Sequence, residues 1–168
     1  MRDFVRRSII LAVVGLAACS ANRASSRPSG PARWTGSFKQ PAMAATAVIG
    51  ANAQSTKGGY GSITITPISD DPGRVRIDLS MTSPVAPGTQ IAWAVFQGPC
   101  GSPTPPAAGL ESFPLIDVNN GGGGMVRTTI PLTLDTHMSY HANIYATTRA
   151  TDMSNILMCA NLTYSGGQ

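Results

Sequence analysis

The sequence is poor in the side chains that carry most chemistry. Only two histidines occur in 168 residues, charged residues make up 12% and aromatics 6%. Two histidines are too few for a multi-imidazole metal centre. No Cys-x-x-Cys pair is present, which removes the usual zinc-ribbon and thioredoxin-type spacings. No serine sits in a Gly-x-Ser-x-Gly elbow, so that route to an activated nucleophile is absent. The glycine run 121–124 is followed by Met125-Val126-Arg127 rather than by Gly-Lys-Ser/Thr and a helix, so it is not a phosphate cradle. No apolar run approaches the ~20 residues of a permanent membrane-spanning helix. No stretch keeps a helical apolar period for three turns, which argues against a helical domain.

The amino terminus has a clear pattern. Arg2, Arg6 and Arg7 form a basic region offset only by Asp3, residues 8–16 are an apolar core, and small residues follow. This is the layout of an export signal. Its final residues, Leu16-Ala17-Ala18-Cys19, resemble the lipobox of bacterial lipoproteins. The resemblance implies cleavage after Ala18 and acyl chains on Cys19. Each buried CH₂ contributes about 0.8 kcal/mol, so two or three chains hold a protein to a membrane almost permanently. Position 20 is Ser and not the Asp that marks inner-membrane retention in Gram-negative lipoproteins. The resemblance therefore implies a cell-envelope address, at the outer membrane where there is one.

Removing residues 1–18 leaves 150, enough for one domain with a real core. Three arginines and Asp3 leave with the signal, so nine basic and seven acidic side chains remain and the net charge falls from +4 to +2. That balance has no basic stripe of the kind nucleic-acid binding needs. With Cys19 assigned to lipid, Cys100 and Cys159 remain as a pair. In an oxidising compartment such a pair is expected to form a disulfide. The alternative is a thiol metal site or redox couple, for which no neighbouring histidine cluster speaks.

Residues 19–33 are rich in Ser, Pro, Ala and Arg without an apolar period and read as a disordered lipidated tether. Residues 34–168 read as a single all-β domain. Ser62–Thr66 alternates, and Arg74–Met81 places Val75, Ile77, Leu79 and Met81 on one face and Arg74, Arg76, Asp78 and Ser80 on the wet one. Asp71-Pro72-Gly73 supplies the turn between them. Further strands are expected at Gln90–Phe96, Leu110–Val118, Met125–Leu134, Ser139–Thr148 and Ile156–Tyr164. One helical turn is expected at Thr151–Asn155, and loops at Pro99–Ala108 and Asn119–Gly124. Seven to nine short strands in this length argue a two-layer antiparallel sandwich.

Three segments carry a further resemblance: Ile91–Gly101, a strand ending in Gly98-Pro99-Cys100-Gly101; Tyr140–Tyr145; and Ile156–Leu162, with Cys159 at its centre. Their order and spacing resemble the CHRD domain and, more distantly, copper/zinc superoxide dismutase. The resemblance covers roughly residues 60–164. It implies a Greek-key sandwich and supports the Cys100–Cys159 bond. The metal ligands of the dismutase are missing: Trp93 and Val95, or Ala92 and Ala94, stand at its copper histidines. The loop Pro99–Phe113 has neither His nor Asp. Dismutase activity is therefore not expected.

The remaining candidates are weaker. His137 and His141 are four apart. On a strand that spacing is about 13 Å, too far to share one metal, so they are only marginal metal ligands. Met138, Met153 and Met158 are read as core filler in preference to copper(I) ligands. Asp70, Asp71, Glu111 and Asp117 are read as turn residues and not as paired catalytic carboxylates, and Asn161-Leu162-Thr163 as a chance glycosylation match. Trp93 is expected in the core, and Trp34 at one end of the domain. Together these features predict a lipid-anchored, non-catalytic envelope domain with no cofactor, whose partners are membrane lipid through Cys19 and an envelope protein. The alternatives are a periplasmic module binding a small molecule or copper or zinc, and an enzyme of unrecognised type.

Overall fold

Alternation of apolar and polar side chains becomes nine strands in the structure, a computed structural model that describes residues 30–40, 59–151 and 153–166. The expected export signal, Cys19 and most of the expected tether lie outside the described residues. The strands are β1 (Arg33–Lys39), β2 (Tyr60–Pro67), β3 (Arg74–Thr82), β4 (Gln90–Ile91), β5 (Trp93–Gln97), β6 (Ile116–Asp117), β7 (Gly123–Pro131), β8 (Tyr140–Tyr145) and β9 (Ile156–Ser165). No α-helix occurs among the described residues; single 3-10 turns lie at Leu110–Ser112 and Met153–Asn155.

Seven strands form one antiparallel sheet in the order β5-β8-β9-β1-β2-β3-β7, and β4 and β6 form a separate ribbon. The sheet is strongly curled into a half-barrel. The two layers expected of a sandwich are continuous in this sheet. Here β1 pairs with β9, at Trp34↔Tyr164 and Lys39↔Cys159, and joins the halves into one sheet. Gly36 allows the approach, since a Cβ there would meet the Asn161 carbonyl at 2.9 Å and the Leu162 side chain at 2.9 Å.

The half made of β1, β2, β3 and β7 follows the alternation closely. Val75, Ile77, Leu79 and Met81 are buried, while Arg74, Arg76 and Ser80 are exposed. Ile63 and Ile65 of β2, Trp34 and Phe38 of β1, and Val126 and Ile130 of β7 complete its buried face. Asp78 accepts from Arg127 Nε at 2.6 Å on the wet face. The β2–β3 turn places Gly73 at φ +100°, a conformation that glycine adopts without the clash of a Cβ.

Several expected boundaries move: Ser139–Thr148 shortens to Tyr140–Tyr145, and three others shift for local reasons. The run Gln90–Phe96 breaks at Ala92, whose N–H donates to Thr147 O and whose carbonyl accepts from Tyr145 N, so the chain passes there from the ribbon to the sheet. Leu110–Val118 is not one strand. Pro114 has no N–H for a ladder, and the segment becomes a 3-10 turn, a bend and the short β6. Phe113 packs edge-on against Trp93 at 5.0 Å, and Trp93 Nε1 donates to Pro114 O. β7 starts at Gly123 and ends at Pro131, and Leu132 and Leu134 remain buried beyond it. β1 is a strand that the run-by-run reading omits.

Cys100 and Cys159 are bonded, with their Cα atoms 6.0 Å apart and a sequence separation of 59. Closing a loop of that length removes about 4 kcal/mol of unfolded-chain entropy at room temperature.

Candidate functional site

The half made of β5, β8 and β9 differs from the rest of the sheet because both of its faces are covered. All six residues of β8 are buried, as are Trp93–Phe96 of β5. Tyr140, Ala142 and Ile144 point to the common core, opposite Gln97, Val95 and Trp93. His141, Asn143 and Tyr145 take the opposite face. The start of the segment between Gly98 and Ala108 lies over that face at Gly98–Cys100, and its later residues pair along the outer edge of β5. Ala107 N donates to Val95 O, Thr104 Oγ1 bonds Gln97 O, and Phe96 bridges Pro106. The disulfide ties this segment to β9, and Asn161 Oδ1 accepts the Cys100 N–H at 2.7 Å.

Under this cover lies a row of polar side chains. His141 is fully buried and stacks on Phe96 at 5.4 Å. Its Nδ1 lies 2.9 Å from Gly98 O and donates to it. Gly98 has φ +77°, which lets the chain leave β5 with its carbonyl facing the imidazole. That tautomer leaves Nε2 as an acceptor, 3.4 Å from the Asn143 amide nitrogen. The same amide donates to Tyr145 Oη at 3.4 Å. Burial pushes the His141 pKa below its ordinary 6.5, against smaller upward pulls from hydrogen bonds to Gly98 and Gln97. The ring is therefore neutral at physiological pH, and both nitrogens are occupied within the fold. It orients Asn143 and has no free position for a substrate proton.

Asn143 is also fully buried, and its Oδ1 accepts no hydrogen bond. The residue lines a cavity of about 510 Å³ together with Lys39, Cys100, Ile156, Cys159 and Asn161. Strand register explains the grouping, because Lys39 lies opposite Cys159, and Cys159 opposite Asn143. The other buried side-chain atom without a partner among the described residues, Trp34 Nε1, belongs to a ring packed on Tyr164 at 4.9 Å.

The structure separates the two histidines that the sequence offers as marginal metal ligands. His137 is exposed in a turn where its N–H donates to Asp135 Oδ1, while His141 is sealed in β8. No group of three or more metal-ligating side chains occurs among the described residues. Met138 and Met153 are exposed and Met158 is buried. Asp71 pairs with Arg74, and Asp117 accepts from Gln90. Trp93 is in the core, as expected.

Sequence reasoning missed Lys39 and Asn143. Alternation assigns His141, Asn143 and Tyr145 to a wet face. The signal against that assignment is that none of the three carries a formal charge at neutral pH, unlike the Arg74, Arg76 and Asp78 of β3. Compared with known proteins, the chain matches no family model, and neither a curated protein nor a solved structure matches it significantly.

Proposed function

We propose that this chain is an exported lipoprotein, held at the cell envelope by acyl chains on Cys19 and, in a Gram-negative cell, at the outer membrane. Its β-domain is a non-catalytic structural or protein-interaction module, and its partners are membrane lipid and an envelope protein. In this reading the curled sheet is a Greek-key sandwich of the dismutase or immunoglobulin-like kind. Its layers are the two halves of the sheet, and the β4–β6 ribbon crosses from one to the other. The observation that carries the reading is the Cys100–Cys159 bond. A disulfide of this kind belongs to an oxidising compartment. It also leaves Cys19, at the end of a lipobox-like segment, as the remaining thiol of three.

The test is fractionation of cells expressing the full chain and Cys19→Ala, with metabolic palmitate labelling. The wild type is expected in the membrane fraction with label. Cys19→Ala is expected without label and released from the membrane. Retention of the variant in the membrane fraction contradicts the anchor.

A further inference from the structure

We infer that the cavity beside the disulfide binds a small hydroxylated carboxylate, a molecule of the sugar-acid class. This goes beyond the anchoring role and does not depend on Cys19. Two independent observations carry it. The first is the row of Lys39, Cys159 and Asn143 across three neighbouring strands. Adjacent strands lie about 4.8 Å apart, so the outer two Cα atoms stand about 10 Å apart. A ligand of five or six carbons spans that distance. The second is Asn143 itself, fully buried, lining the cavity, with Oδ1 unpartnered. An acceptor withdrawn from water without a donor is unfavourable, so a ligand hydroxyl that displaces the groups packed over it gains the missing bond. His141 and Tyr145 engage the amide nitrogen and leave the oxygen for the ligand.

The charge of the ligand follows from the rest of the lining. Lys39 is exposed and forms no ion pair among the described residues. Among the described residues no Asp or Glu lines the cavity. A carboxylate therefore finds a partner at the Lys39 end. A ligand ammonium at the Asn143 end would lose water without gaining an anion, so the donor there is a neutral hydroxyl. The disulfide and Ile156 provide an apolar floor for the carbon chain between them. The cavity volume falls within the range of small-molecule sites.

Equilibrium dialysis of the full-length protein in detergent micelles against labelled D-gluconate tests this, with glucose and hexanoate as competitors. Gluconate is expected to fill one saturable site. Glucose, lacking the carboxylate, and hexanoate, lacking the hydroxyls, should compete at least about tenfold more weakly. Lys39→Gln, an exposed change that leaves folding intact, should weaken gluconate binding by about tenfold or more. Asn143→Ala should abolish the preference for gluconate over hexanoate. The inference is overturned by any of three results: no saturable gluconate binding up to about 10 mM, equal competition by glucose or hexanoate, or unchanged affinity in Lys39→Gln. If Asn143→Ala does not fold, the competitors and Lys39→Gln still decide.

Discussion

In β3 every second side chain reaches water; in β8 none does. The two strands belong to one sheet and share one core, yet they are stabilised in different ways. The β1-β2-β3-β7 half buries one face and leaves the other to charged and hydroxyl side chains, the ordinary arrangement of an antiparallel sheet. The β5-β8-β9 half buries both faces, because a chain segment fastened by the Cys100–Cys159 bond covers the second. Covering a face that holds polar groups requires those groups to bond one another. His141, Asn143 and Tyr145 do so, apart from a single carboxamide oxygen. The comparison teaches where a ligand site arises in a domain with little chemistry. It arises at the margin of the covered half, where the cover ends and β1 begins.

Truncation of neighbouring side chains gives the largest effect that can break this contrast. In β3, Ile77→Ala should cost about 3 kcal/mol and Arg76→Ala under about 0.5 kcal/mol, the usual difference between core and surface. In β8, Ile144→Ala and Tyr145→Ala, adjacent in sequence, should each cost about 3 kcal/mol. Urea unfolding of the four variants checks this. A Tyr145→Ala that matches Arg76→Ala would mean that the second face of β8 is not sealed.

A smaller effect sharpens the contrast through pH. The folded-state pKa of His141 lies below 6.5 because burial disfavours the charged ring. Well above 6.5 the ring is neutral in both states and contributes no pH dependence. As pH falls below 6.5 the unfolded chain takes up a proton that the folded chain refuses, so stability declines until the folded pKa is reached. The slope from this one group is at most about 1.4 kcal/mol per pH unit. Urea unfolding between pH 7.5 and 5 should therefore show a decline that His141→Gln flattens. An equal slope in wild type and His141→Gln would remove the buried imidazole from the account.

Much of the alternating half was legible in the sequence. The strand Arg74–Met81, its buried set and the turn at Asp71-Pro72-Gly73 all appear as expected, since period-2 patterning is strong where one face is wet. The disulfide was legible from cysteine number and from the export expected of the amino terminus. The covered half was not. Its polar residues mimic a solvent face, and burial by a distant loop leaves no local pattern. Leu110–Val118 misled because its apolar residues pack individually around Trp93 and Pro114 and not along a ladder. The cavity was invisible for a related reason: Lys39, Asn143 and Cys159 meet only through strand register.

Amide hydrogen exchange before and after reduction of the Cys100–Cys159 bond tests most directly the claim that the disulfide-tied segment seals one half of the sheet. With the bond intact, the amides of Ala142, Asn143 and Ile144 should be protected to the level of Ile77 and Leu79. On reduction, protection in β8 and β9 should fall while β2 and β3 retain theirs, because the loss is local. An equal change in both halves, or no change in either, would contradict the account.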